Sequence, residues 1–304
     1  KAILALVCSC LLLVACGQQG DMHVPSVPGL MVSTQRVENK DQLFASDIDG
    51  HDRHRIIIGK ITIAPAHAVG SDDDLDDENK AVLMSPQPFS PDGKRLMVSL
   101  STGPELAQKI VMDADGRNAR TAGLQGGGFG CAIVWSPDMS RIAYCRSDYG
   151  ATNPRVAITD LRTDEVTEPG WNGMCPAIRW DLASAGFYCA GYDLGTDSSS
   201  LSHFSIATRQ INVAQSNVPG EITDISEDAD FALIIRKPAT GGRALVRRRF
   251  STGEERLIFQ SPDDAIAGRF LRPPDQLIVF GTIAGESEPH YVHIGASVIA
   301  FTKM

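Results

Sequence analysis

FSPDGKRLMVSLS (Phe89–Ser101) and WSPDMSRIAYCRS (Trp135–Ser147) are two copies of one phrase. Working outward from them, weaker copies open at Trp180, Ile225 and Phe270, so the anchors step along the chain by 46, 45, 45 and 45 residues. A fixed period of that size is the signature of a repeat architecture, in which each repeat is one supersecondary unit that must stack on its neighbours to bury its apolar face.

The content of a repeat follows from the copy around Trp135. The run GCAIVW (130–135) leads into a Ser-Pro-Asp turn, then RIAYCRS (141–147), a polar loop, RVAITDL (155–161), a Thr-Asp turn and EVTEP (165–169). Alternating apolar and polar residues bounded by Pro, Gly, Asp and Ser are strand signals. Asp92-Gly93, Asp115-Gly116 and Asp49-Gly50 sit where tight turns need a residue tolerant of positive φ. Four strands in about 45 residues make one blade of a β-propeller. Gly29 to Met304 holds six such lengths. The expected fold is therefore all-β, a six-bladed propeller of four-stranded antiparallel blades with little helix. The first blade is irregular: Gly29–Ile56 gives two strands, RIIIGKITI (55–63) a third, and the innermost is either missing or supplied by residues 23–28.

FSPDGKRLMVSLS and KIVMDADGRNARTAGL (Lys109–Leu124) resemble the repeats of TolB-like, or WD-repeat-like, bacterial propellers. In that family an aromatic-Ser-Pro-Asp-Gly-Lys turn joins the first two strands of a blade and an Asp-Ala-Asp-Gly turn joins the last two. GLMVSTQRVENKDQLFASDIDG (Gly29–Gly50) resembles the middle of such a repeat. The resemblance is strong over Phe89–Arg120, good over Trp135–Ser147, and degenerate from Asp181 onward. There Ser-Pro-Asp-Gly becomes Asp-Leu-Ala-Ser (181–184) or Ser-Glu-Asp-Ala (226–229). It implies a propeller over residues 29–304 and extends to the propeller alone.

The chain opens with Lys1 and AILALVCSCLLLVAC (2–16). An apolar stretch from Ala2 to Ala15 is too short for an ordinary membrane span and reads as a signal-peptide core over residues 1–15. Leu13-Val14-Ala15-Cys16 matches a bacterial lipobox, which makes Cys16 the expected site of lipidation, with acyl chains such as palmitate holding the protein to the membrane. Gly17 rather than Asp after Cys16 points to the outer membrane, with the propeller in the periplasm or at the cell surface. Residues 16–28 then form a lipidated tether. A plain secretory signal is the alternative reading.

Four further cysteines, Cys131, Cys145, Cys175 and Cys189, occupy matching places in adjacent repeats. An oxidising compartment keeps disulfides. Pairing within each first hairpin gives Cys131–Cys145 and Cys175–Cys189. Pairing between blades, Cys131–Cys175 with Cys145–Cys189, is the alternative, and free buried thiols the third. Neither spacing nor nearby His fits a zinc cluster.

The formal net charge of −9 argues against a nucleic-acid partner. Asp72, Asp73, Asp74, Asp76, Asp77 and Glu78 form an acidic run that lacks the order of a calcium loop and reads as a solvated insertion. Gly126-Gly127-Gly128 with Gly130 has no helix behind it and reads as a link between blades. Arg247, Arg248 and Arg249 read as an outer strand whose charges block edge pairing, with a contact for an acidic partner as the alternative. The histidines His51, His54, His67, His203, His290 and His293 read as surface or loop residues, and His23 falls in the tether. The mature chain has no Gly-x-Ser-x-Gly, His-Glu-x-x-His or Cys-x-x-Cys. No catalytic residue, metal or cofactor is assigned. The expected function is a monomeric, membrane-anchored binding or scaffolding module that takes a protein partner on a propeller face. The alternative is a periplasmic or surface propeller enzyme acting on a carbohydrate or lactone at the central channel.

Overall fold

A computed structural model describes residues 22–27, 30–37, 40–46, 54–56, 81–103, 106–122, 133–146, 155–171, 175–239, 241–261, 266–270, 275–281, 290–294 and 299–303. Among them there is no helix; twenty-four strands form six four-stranded antiparallel sheets, each built from strands consecutive in the chain. The first sheet comprises β1 (Met22–Val27), β2 (Leu30–Val37), β3 (Lys40–Ser46) and β4 (His54–Ile56). The second comprises β5 (Ala81–Phe89), β6 (Arg95–Gly103), β7 (Leu106–Asp113) and β8 (Arg120–Thr121). The third holds β9 (Ile133–Trp135), β10 (Arg141–Arg146), β11 (Arg155–Asp160) and β12 (Val166–Thr167). These three belong to one compact unit.

A second unit contains the other three. The fourth sheet is β13 (Ala177–Trp180), β14 (Gly186–Asp193), β15 (Ser198–Ser205) and β16 (Gln210–Pro219). The fifth is β17 (Glu221–Ile225), β18 (Phe231–Arg236), β19 (Arg243–Arg249) and β20 (Glu255–Ser261). The sixth is β21 (Ile266–Phe270), β22 (Gln276–Gly281), β23 (His290–Ile294) and β24 (Ile299–Lys303). Residues 22–27, counted with the tether by composition, pair with β2 and supply the first strand of the irregular sheet, which is the second of the two readings given above for that strand.

The period has a direct structural meaning. All five anchors close the first strand of their sheet, and Phe89, Trp135, Trp180, Ile225 and Phe270 are buried. First strands of successive sheets pack side by side: β1 on β5 and β5 on β9 in one unit, β13 on β17 and β17 on β21 in the other. A large apolar residue at that point covers the approach of the next sheet. Between sheets lie the cores. Strand β18 shows how one strand serves two of them, because successive side chains point to opposite faces. Ala232 and Ile234 join Ala177, Ala190, Leu201 and Ile222, while Leu233 and Ile235 join Leu245, Ile266, Phe270, Leu277 and Val279. In the other unit Met97 and Val111 of the second sheet pack on Trp135, Ile142 and Tyr144 of the third.

The turn after three of the anchors, Phe89, Trp135 and Ile225, repeats atom for atom. Ser90 Oγ donates to Asp92 Oδ1 at 2.6 Å and accepts the Arg95 amide at 3.0 Å. Ser136 does the same with Asp138 and Arg141, and Ser226 with Asp228 and Phe231. The Ser90 hydroxyl holds the Asp92 carboxyl below its ordinary value. From the second sheet Arg95 Nη2 donates to the Met139 carbonyl at 2.8 Å, with its guanidinium 5.0 Å from the Trp135 ring centre.

Candidate functional site

Ionisable side chains converge on the ends of the first strands of the fourth, fifth and sixth sheets. Asp224 on β17 is buried and stands one residue before its anchor; Arg179 on β13 and Arg269 on β21 hold the same position in their strands. Arg179 Nη2 donates to both Asp224 oxygens, at 3.2 and 3.4 Å, and its Nε donates to the Ile225 carbonyl at 2.8 Å. The Phe270 amide donates to Asp224 Oδ2 at 2.8 Å. Arg269 Nη1 donates to the Thr223 carbonyl at 2.7 Å and lies 3.9 Å from Asp224 Oδ1. One carboxylate thus ties three sheets together. Its lone pairs are directed at guanidinium and amide donors, so the geometry suits clamping the sheets together rather than proton transfer.

In the fourth sheet the anchor turn departs from the repeat. Asp181 stands where three of the other copies have Ser, accepts the Ala185 amide at 2.9 Å, and lies 3.1 Å from His203 Nε2. The His203 ring packs against Tyr188 at a tilt of 52°, with 4.7 Å between centres. Burial and the Asp181 charge push the Tyr188 hydroxyl up. In the next hairpin, burial and a hydrogen bond from Tyr192 Oη to Asp197 Oδ1 push the Tyr192 hydroxyl up to about 12. Among the described residues no three His, Cys, Asp or Glu gather closely enough to hold a metal ion.

Cys16 and Cys131 lie outside the described residues, as do the acidic run 72–78 and the glycines 126–128 and 130. Cys145 is buried on β10. Cys175 and Cys189 are joined by a disulfide, with 5.8 Å between Cα atoms. They are not direct cross-strand partners: Cys189 is opposite Ile178, and Cys175 reaches it from two residues before β13. His203 is half-buried in β15; His290 and His293 lie on β23, His54 on β4 and His23 on β1. His51 and His67 lie outside the described residues.

The arginine run requires a correction. β19 is the third strand of its sheet, not the outer one, because Glu255–Ser261 follows as β20. Arg248 pairs with Glu255 at 2.7 Å and Arg249 with Asp230 at 2.7 Å. Arg179, Asp224 and Arg269 escaped the sequence reading. Their signal was available: they stand 45 residues apart, each one before an anchor.

No family model matches the chain, and no curated protein does. Solved structures do match in fold. TolB from Acinetobacter baumannii superposes with a TM-score of 0.62 at 15% identity, over 87% of this chain and 60% of that one. The β-propeller domain of the trilobed protease from Pyrococcus furiosus, described as having an open velcro topology, gives 0.56 at 10% identity over 93% and 83%. An acylaminoacyl peptidase gives 0.55 at 11% identity over 93% and 46%. The chain therefore spans about 60% of the length of that TolB. With its six four-stranded antiparallel sheets, the chain has the TolB-like β-propeller fold.

Proposed function

We propose that the protein is an envelope lipoprotein, anchored through Cys16, whose propeller binds a protein partner. The observation that carries this reading is the use made of the ionisable groups on the first strands. Asp224 is held by Arg179 and the Phe270 amide beside Arg269, so these charges join sheets. A rigid frame of that kind supports recognition, with partner specificity set by the strand connections. Likeness to TolB supports the frame, and likeness to a peptidase carries no chemistry across with it. The leader Ala2–Ala15 and Cys16 support the address.

In-cell photo-crosslinking in intact envelopes, read by mass spectrometry, tests the reading. Reproducible crosslinks from the propeller to one protein are the expected result. Turnover of oligosaccharides or lactones by the purified chain, without such crosslinks, would replace it with an enzymatic function.

A further inference from the structure

The fourth sheet ends on β16, whose ten residues, QINVAQSNVP, carry no charge in a chain that is 21% charged. A strand closing a sheet is ordinarily kept short or charged, because its unpaired N–H and C=O groups are a template for another chain. Among the described residues the other fourth strands follow that rule. β4, β8, β20 and β24 each contain Arg, Lys or Glu, and β12 is two residues long. On β16 the segment Gln210–Ala214 is exposed throughout, including Ile211 and, at 68% exposure, Val213. Its pairing with β15 is unbroken from Gln210 to Val213, and the register shifts beyond that point. The regular part of this edge is therefore one short stretch with two apolar side chains on the same face, since residues two apart in a strand point the same way.

From this edge we propose that β16 pairs antiparallel with β16 of a second copy across a two-fold axis at Asn212, making the protein a homodimer where the sequence led us to expect a monomer. A two-fold axis normal to a sheet sets one residue opposite its own copy. With the axis at Asn212, Ile211 lies opposite Val213 of the second copy, Val213 opposite its Ile211, and Gln210 opposite its Ala214. An axis at Ile211 would set Val213 against Arg209, and one at Val213 would set Ile211 against Gln215. Of the three, the Asn212 register alone matches both apolar residues with apolar residues. Charge decides the occupant. Identical neutral edges meet without the repulsion that like charges opposite one another suffer, whereas a charged segment of another protein finds no counter-charge on this strand. The net charge of −9 opposes contact between copies elsewhere, so an uncharged edge is where they can approach. Main-chain hydrogen bonds supply the affinity and the side-chain pairs the register. So short an edge buries little surface, which makes the dimer weak and reversible. Self-pairing goes beyond the reading of the chain as a protein-binding module, and either can fail without the other.

Disulfide trapping of the purified full chain with a mild oxidant tests the register. Two copies of residue 212 would stand about 4.5–5.5 Å apart at Cα, within reach of a disulfide. Two copies of residue 210 would be four positions apart along the strands, about 13 Å. Asn212→Cys should therefore form covalent dimer about tenfold faster than Gln210→Cys, with the wild-type chain setting the background from its native cysteines. Gln210→Cys mixed with Ala214→Cys should cross-link to each other. Sedimentation velocity at rising concentration should show wild type passing from monomer to dimer. Asn212→Lys sets two like charges opposite each other and should weaken that association by about fivefold or more. Circular dichroism melting checks the fold of each variant; if Asn212→Lys does not fold, Val213→Lys at the exposed neighbour takes its place with a loss in the same direction. Equal trapping of Gln210→Cys and Asn212→Cys, or wild type sedimenting as a monomer throughout, overturns the proposal. A dimer undiminished in the folded lysine variants also overturns it. Cross-linking of residue 212 in intact envelopes to a different protein, and not to a second copy, would give the edge to that protein and overturn self-pairing.

Discussion

Gly93, Met139, Ser184 and Ala229 each stand four positions after an anchor, and their φ angles are 70°, 61°, 56° and 56°. The first is what the turn asks for, because glycine adopts the left-handed region without steric cost. The other three are L-residues held there by the same bonds that shape the Gly93 turn. Ser136 Oγ and Ser226 Oγ accept the amides of Arg141 and Phe231, and Asp181 Oδ1 accepts the Ala185 amide in their place. This explains why the repeat fades in sequence after Asp181 but not in backbone: side-chain hydrogen bonds keep the turn after glycine is lost. The anchors stayed legible because burial between sheets demands a large apolar residue, whereas a turn has several chemical solutions. Ala229→Gly should stabilise the protein by about 0.5 kcal/mol, the relief of left-handed strain outweighing added chain entropy and a lost methyl contact. Urea unfolding of the variant against wild type measures it, and a lower midpoint would show that Ala229 is not strained.

Between elements the decisive interactions are those spanning one repeat, and they were the least legible. An Arg179–Asp224 pair is invisible to any local window, and only alignment of anchors brings the two residues together. Asp224→Ala should cost about 3–5 kcal/mol, since it strands the buried Arg179 and the Phe270 amide. Replacing the pair together, Arg179→Met with Asp224→Leu, should recover part of that loss, because it removes the stranded guanidinium although the Phe270 amide stays without its acceptor. Chemical denaturation distinguishes the two. Equal losses would show that the stranded Arg179 is not the source of the cost. The arginine run was misplaced for a related reason: charge at residues 247–249 resembles edge protection unless β20 is recognised as the following strand. On the opposite face of that sheet, Arg236 grips both oxygens of Glu255 at 2.6 Å, and Arg248 adds a third contact at 2.7 Å. Arg236 first, and Arg248 with it, hold the Glu255 carboxyl below its ordinary 4.5 against the opposing effect of burial. A depressed folded-state value stabilises the protein at pH above 4.5, and the stabilisation is lost as pH falls below that value. Glu255→Gln should therefore melt lower than wild type at neutral pH, with the gap closing only on acidification. A gap that stays constant through that range would exclude Glu255 ionisation as its source.

At the scale of the whole molecule, fold and address are written in different chemistry. The fold is carried by spacing, so it survives to 15% identity with TolB while no family model matches. The proposed address rests on a few contiguous residues, Leu13-Val14-Ala15-Cys16 behind an apolar run, which a peptidase and an acyltransferase would read as extended chain. The two can therefore be separated by experiment. Several acyl chains on Cys16 would bury enough methylene to hold the protein at a bilayer, whereas one chain alone binds marginally. Wild-type protein should take up labelled palmitate and sediment with the outer membrane. Cys16→Ser should lose the label, while the disulfide between Cys175 and Cys189 and the melting temperature stay as they were, since neither draws on the lipid. Loss of label with sedimentation unchanged would place the protein at the membrane through its propeller instead.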